Sequence, residues 1–329
     1  MPETVYANIT AIGRYLPDYV LTNDELEKMV ETNDEWIRTR TGIRERHILK
    51  DPGKATAFMG AQAANEALRQ RGIDASEIDC IIVGTVTPDY LFPATACLIQ
   101  KMIGAENAYG FDLSAACSGF LFSLSTAVNF IESGRHKKVL VIGADKMSAI
   151  TDYTDRATCI LFGDAAAAVL LEPSTEYGII DYVNHTDGDL NGLLIQQGGG
   201  SRNPATHETV DKKMHYIYQE GRAVFKKATE GMADVSAEIM KRNDLDGDDV
   251  AWLVPHQANL RIIDATARRM GISMDKVMVN IDRYGNTTAA TIPLCLYDWQ
   301  GRLNKGDNLV LAAFGGGFTA GAAYLKWGL

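Results

Sequence analysis

An α/β fold is predicted for this chain of 329 residues, and three features predict it. Short apolar runs that read as strands alternate with helical stretches along the chain. The second half repeats the grammar of the first. One helix is apolar nearly all round, which places it inside the protein rather than on its surface.

The elements follow in order. In "LTNDELEKMV" (21–30) Thr22 and Glu25 have capping-box spacing, so a helix begins there. Residues 55–72 are Ala-rich and read as a helix ending at Gly72. "IDCIIVGTVTP" (78–88) and "HKKVLVIGADK" (136–146) carry continuous apolar cores, as strands buried on both faces do. "AENAYGFDLSA" ends in a strand, and "SGFLFSLSTAVNFIESG" is a helix closed by Gly134. That helix carries Phe120, Leu121, Phe122, Leu124, Val128, Phe130 and Ile131 on all sides. After a break near "LEPSTEYG" (171–178), "DVAWLVPHQAN" (249–259) parallels the strand at 78–88. "VMVNIDRYGNTTAATIPLCLYDW" (277–299) parallels the strand, turn and helix around Cys117, and "GDNLVLAAFGGG" (306–317) parallels 136–146. The likeness is one of pattern and divides the chain into halves, 1–174 and 175–329. "GGGSRNPATHETVDKKMH" (198–215) is polar and Gly-rich and reads as an inserted loop.

Composition narrows the function classes. Hydrophobic residues make up 46%, enough for a large core. The net charge of -10 is opposite to that of a nucleic-acid binder. "MPETVYANITAIGRYLP" lacks a basic start followed by an apolar run, and no stretch approaches a membrane span in length. No secretion leader and no membrane contact are therefore expected. The five cysteines (Cys80, Cys97, Cys117, Cys159, Cys295) include no CxxC pair. Neither a disulfide framework nor a metal site is expected, and a cytoplasmic location fits.

Three residues stand at turns that lead into helices. Cys117 follows a strand in "DLSAACSGF" (112–120), near a helix N-terminus, where free backbone N–H groups stabilise a thiolate. A buried structural cysteine is the plain alternative. His256 follows the apolar strand "WLV" and a proline, and alone would be read as a structural hydrogen-bonder. Asn286 follows a glycine in "DRYGNTTAAT", where an N-cap or turn is the plain reading. Together they suit chemistry on an acyl group. A thiol can be acylated, and His and Asn can each donate to an enolate oxygen. "AAFGGGFTAG" (312–321) offers backbone N–H groups for an oxyanion, or is simply a tight turn.

The chain resembles the β-ketoacyl-[acyl carrier protein] synthase III family over essentially its whole length. The resemblance rests on "DEWIRTRTGIRERH" (34–47), "DLSAACSGF", "TDRATCILFGDAAAA" (154–168), "WLVPHQANLRII" (252–263), "GNTTAAT" (285–291) and "FGGGFT" (314–319), in that order. It implies a thiolase-like fold, two pseudo-repeated halves giving a layered αβαβα core with buried central helices. It implies an initiating condensation of an acyl-CoA primer with malonyl-[acyl carrier protein], without metal or redox cofactor, in a homodimer. Cys117 resembles the acylated nucleophile, and His256 and Asn286 the pair that promotes decarboxylation. The backbone N–H groups of Cys117 and Gly316 resemble the oxyanion hole. Trp36 and Arg156 resemble the pair that sandwiches the CoA adenine, Arg40 a phosphate contact, and Asn259 the asparagine near the catalytic His. Phe92 resembles the residue that limits the acyl pocket at the dimer interface. Arg261, Arg268 and Arg269, with Lys226, form the positive face expected to dock the acidic carrier protein; a solvated charged face is the alternative.

Two residues depart from related sequences. Ser118 and Tyr284 stand where Ala and His are common, and both flank catalytic positions, so they bear on acyl preference. A papain-like protease shares the order Cys, His, Asn. Here, however, the cysteine is mid-chain and no secretion leader is evident. A condensing enzyme of secondary metabolism with a different primer or acceptor remains open.

Overall fold

A computed structural model describes residues 4–188 and 190–329. The first part of the chain runs β1 (Tyr6–Tyr15), β2 (Tyr19–Thr22), α1 (Asn23–Leu26), α2 (Asp34–Thr41), β3 (Glu45–Ile48), α3 (Thr56–Arg71), β4 (Cys80–Gly84), α4 (Thr95–Ile103), β5 (Tyr109–Leu113), α5 (Gly119–Glu132), β6 (Val139–Asp145), α6 (Arg156–Cys159) and β7 (Ala165–Ser174). The second runs β8 (Gly178–Thr186), β9 (Leu194–Gln196), α7 (His207–Asp211), β10 (Ile217–Gln219), α8 (Gly221–Arg242), β11 (Trp252–Pro255), α9 (Leu260–Met270), α10 (Ile281–Tyr284), α11 (Thr291–Trp299), β12 (Asn308–Gly315) and β13 (Thr319–Lys326).

Two mixed sheets form the frame. The first has the order β1-β7-β6-β4-β5 and the second β11-β12-β13-β8. Neighbours β5, β4 and β6 are parallel, as are β11 and β12. The chain passes from one sheet to the other between Ser174 and Gly178.

Helices fill three layers around these sheets. Phe120, Leu124 and Val128 of α5, with Ile292 and Leu296 of α11, share one core with the inner faces of both sheets, including Ile82, Val141, Val254 and Leu311. Helices α3 and α4 cover the outer face of the first sheet through Ala63, Ala67 and Ile99. Helices α8 and α9 cover the second through Met232, Ile239 and Ile263. The result is the expected αβαβα layering. Its central helices are buried because they have sheet on both sides.

Local differences have local reasons. The helix expected over 21–30 is a single turn. Thr22 does cap it, accepting from the Glu25 N–H at 3.3 Å, but the Glu25 carboxylate bonds the Tyr19 hydroxyl instead of closing the box. The strand expected at the start of 277–299 is reduced to one parallel bridge between Leu253 and Val277. The inserted loop at 198–215 contains α7, capped by Thr206.

Candidate active site

Cys117 lies in a 3-10 turn, Ala116–Ser118, that leads directly into α5. Cys117 is 9% exposed. Two close approaches set its surroundings. A Cβ at Gly315 would lie 2.6 Å from the Cys117 backbone nitrogen, so only glycine lets β12 run against this turn. A Cβ at Gly143 would lie 2.4 Å from the Ala289 carbonyl oxygen, so β6 likewise admits the turn that follows Asn286.

His256 directly follows β11 and is 1% exposed. Its Nδ1 meets Thr291 Oγ1 at 2.8 Å, while Nε2 has no partner among the described residues. Asn286 is 7% exposed, and its Oδ1 accepts from the Thr288 N–H at 2.9 Å. A backbone N–H can only donate, so this contact identifies the amide oxygen and leaves the NH2 group to face elsewhere.

These three residues, from separate stretches of chain, line one cavity of about 650 Å³. Gly315, Gly316 and Gly317 line it as well. The apolar walls come from Leu194 of β9, Ile217 of β10, Val224 and Phe225 of α8, and Phe314 of β12. The polar surroundings of 198–215 gave no sign of those first walls. Thr288 and Thr291 lie inside "GNTTAAT", which singles out neither, and Asp145 carries no motif of its own.

Burial dominates the electrostatics. It pushes the Cys117 thiol up to about 12; the nearby Asp145 adds to this, and the residue's own backbone N–H opposes it. The resting group is therefore a thiol. The thiolate expected from the helix N-terminus alone does not outweigh desolvation. Burial also lowers His256 to about 3, so its imidazole is neutral at physiological pH. Below pH 12 the thiolate fraction grows about tenfold per pH unit. Iodoacetamide labelling of Cys117 in the resting protein, followed by peptide mapping, should climb from pH 7 to 10 without levelling. A plateau near neutrality would mean that the thiolate is already formed.

The remaining expected positions fall in three places. Trp36, on α2, has the Arg40 guanidinium 4.8 Å and the Arg156 guanidinium 5.0 Å from its ring centre. Asn259 caps α9 through the Arg261 N–H and donates to the Arg40 carbonyl at 2.8 Å. Asn259 and Ala157 line the cavity, so this cluster borders its mouth. The guanidinium of Arg261 lies 4.9 Å from the ring centre of Phe225, a cavity wall, and Lys226 is exposed beside it in sequence. Arg268 and Arg269 are instead matched by Asp264 at 2.8 Å and Asp234 at 3.1 Å. Phe92 does not line this cavity. It is 86% exposed, beside Leu91 at 83%.

Ser118 and Tyr284 do not line the cavity either. Ser118 Oγ donates to the Thr319 carbonyl at 3.2 Å, and the Tyr284 hydroxyl receives Arg14 Nη1 at 2.9 Å. Both side chains point into packing, so neither touches an acyl group directly. Among the described residues no cluster of His, Cys, Asp and Glu could hold a metal ion. No helix there is long and apolar enough to cross a membrane.

Comparison with known proteins identifies the family. The family model for 3-oxoacyl-[acyl-carrier-protein] synthase III matches residues 111–188, and its C-terminal counterpart matches residues 240–327. The beta-ketoacyl-[acyl-carrier-protein] synthase III of Chlorobium chlorochromatii is 61% identical over 327 residues, 98% of this chain and 99% of that one. The crystal structure of 3-oxoacyl-[acyl-carrier-protein] synthase III from Aquifex aeolicus VF5 superposes with a TM-score of 0.89 at 44% identity, covering 98% of this chain and 100% of that one. The priming beta-ketosynthase of the R1128 polyketide pathway gives 0.90 at 33% identity, covering 99% and 98%. With two family models matched, 61% identity and a TM-score of 0.89 over nearly the whole length, the chain belongs to the beta-ketoacyl-[acyl-carrier-protein] synthase III family.

Proposed function

We propose that this cavity performs the initiating condensation of fatty acid synthesis. An acyl-CoA and a malonyl-[acyl carrier protein] give a 3-oxoacyl-[acyl carrier protein], CO2 and free CoA. The observation that carries this reading is the meeting of Cys117, His256, Asn286 and the Gly315–Gly317 turn at one buried cavity.

The chemistry runs in two halves. Cys117 sulfur attacks the acyl-CoA thioester, and the thiol proton leaves with the CoA sulfur. Breakdown of the tetrahedral intermediate forms the acyl-Cys117 thioester. The negative oxygen of that intermediate faces the N–H groups of Cys117 and Gly316. The malonyl thioester then enters and loses CO2. The electron pair of the broken C–C bond becomes an enolate, whose oxygen receives hydrogen bonds from Asn286 Nδ2 and His256 Nε2. The enolate carbon attacks the acyl-Cys117 carbonyl, and the Cys117 thiolate is expelled and takes a proton from solvent to restore the resting thiol. Loss of CO2 supplies the carbanion, so the reaction calls for no metal or redox cofactor.

Binding follows the cluster at the mouth. Trp36 and Arg156 take the adenine of CoA, Arg40 a phosphate, and Asn259 holds the α2 and α9 ends together beside them. In the resting geometry the Arg156 guanidinium lies on the Trp36 ring, so it swings out to admit a base. Arg261 and Lys226 meet the acidic carrier protein, with Arg268 and Arg269 contributing less because their charges are matched. A homodimer covers the exposed Tyr90, Leu91 and Phe92 loop, and there Phe92 limits the acyl pocket. The two pseudo-repeated halves, 1–174 and 175–329, supply the nucleophile and the His-Asn pair respectively. A cytoplasmic setting suits these substrates.

The test is product formation. With acyl-CoA and malonyl-carrier protein, mass spectrometry should find the 3-oxoacyl-carrier protein and CO2 should be released. Absence of both across a panel of primers would overturn the reading. The likeness to a priming polyketide ketosynthase makes a different primer or acceptor the alternative, and the same panel decides it. Arg261→Glu should raise KM for the malonyl carrier about tenfold by reversing one contact charge. Acylation by acyl-CoA should be unchanged. An unaltered KM would remove Arg261 from the docking surface.

A further inference from the structure

Asp145 is a carboxylate the reaction above does not use. It closes β6 and is fully buried. Its Oδ1 accepts from Thr85 Oγ1 at 2.9 Å, the Val86 N–H at 2.8 Å, the Thr87 N–H at 3.1 Å and Thr87 Oγ1 at 2.9 Å. Its Oδ2 meets Thr288 Oγ1. No cation pairs with it among the described residues. A buried carboxylate is costly without a charge partner. This one also holds the proton on the Cys117 thiol, which works against making the nucleophile.

Thr288 shows what the carboxylate supplies. It has φ +52°, a conformation that a β-branched residue adopts only when its surroundings hold it there. Two polar groups of Thr288 then have a task. Its hydroxyl meets Asp145, and its N–H donates to Asn286 Oδ1 at 2.9 Å. Its carbonyl lies 2.9 Å from Thr291 Oγ1, and that same hydroxyl lies 2.8 Å from His256 Nδ1. The N–H contact turns the Asn286 amide so that its NH2 group is the free end. The Thr291 hydroxyl has one proton and two acceptors in reach. Given to Nδ1, it leaves Nε2 as the N–H that can donate to an oxyanion.

We propose that Asp145 and Thr288 are positioning residues for the condensation: the carboxylate at the end of β6 anchors Thr288, which orients Asn286. The proposal rests on the reading of His256 and Asn286 as the pair that stabilises the enolate. It separates the two half-reactions, because acylation of Cys117 does not need that pair.

The test is Thr288→Val, which keeps the volume and the branching and removes the anchor. kcat for condensation should fall about 10- to 100-fold, the cost of misplaced groups. KM for the malonyl carrier and the rate of Cys117 acylation should stay within about twofold, since binding and the acyl-CoA step use other groups. Thr288→Ser, which restores the hydroxyl, should recover most of the loss. Equal loss of both half-reactions, or no recovery with serine, overturns the proposal. If Thr288→Val does not fold by circular dichroism, Asp145→Asn decides. It should lose condensation in the same way, with acylation no slower, because a charge near the thiol is gone. Unchanged kcat overturns the proposal. His256→Ala and Asn286→Ala separate the two levels. If they abolish condensation while Thr288→Val does not, the positioning proposal alone fails. If they leave condensation intact, the reading of the site falls and the proposal with it.

Discussion

Intact protein incubated with acyl-CoA should gain the mass of one acyl group, and Cys117→Ser should gain none. The serine hydroxyl is slightly smaller and occupies the same turn, but it ionises far less readily than a thiol. Condensation should fall by on the order of 10^4-fold or more, as when other enzymes lose a nucleophile. The wild-type thiol itself is held near 12 by burial, so the adduct must form as CoA leaves, not from a standing thiolate. A panel of primers would also name the acyl group, because each methylene contributes about 0.8 kcal/mol of burial in an apolar pocket. An acyl adduct that survives in Cys117→Ser would move the nucleophile elsewhere. No adduct on the wild type from any primer would remove acyl-CoA as the donor.

Gly315→Ala should disable both half-reactions while leaving the substrates bound. The added Cβ would lie 2.6 Å from the Cys117 nitrogen, 3.1 Å from the Ser118 nitrogen and 3.2 Å from the Cys117 Cα. All three are backbone atoms and cannot swing aside as a flexible side chain could. Either β12 or the Cys117 turn must shift, and the N–H groups of Cys117 and Gly316, proposed as the oxyanion donors, then part. Loss of one such donor costs about 10^2- to 10^3-fold in kcat, and both half-reactions pass through an oxyanion at this place. Gly301→Ala is the control, since a Cβ there meets nothing within 4 Å. Retention of kcat within threefold of wild type in Gly315→Ala would show that the close approach is not needed for chemistry. Unfolding in place of inactivation would show on a thermal melt set against the control.

Much of the site was legible in the chain because it is written locally. A strand that ends, a turn of small residues and a helix that starts are patterns a few residues wide. They put Cys117 before α5, His256 after β11 and Asn286 before α11. The strand cores at 80–84, 139–145, 252–255 and 308–315 were visible for the same reason: sheets covered on both faces demand continuous apolar runs. Where a side-chain contact intervened, the local reading failed. Glu25 turned to Tyr19 and the helix at 21–30 stopped after one turn. Arg268 and Arg269 looked like free cations until Asp264 and Asp234 were found beside them.

The sequence by itself determined the layered α/β fold, the order of its elements and the three residues that meet at the cavity. Only the tertiary structure decided their chemical state and surroundings. Burial keeps Cys117 a thiol and His256 neutral, overriding the helix N-terminus. The cavity walls come from β9, β10 and α8, in and beside a stretch with no apolar period. Asp145 reaches Thr288 across 143 positions of chain. Desolvation and hydrogen-bond geometry depend on every atom packed around a group, and those atoms come from parts of the chain that no local pattern connects.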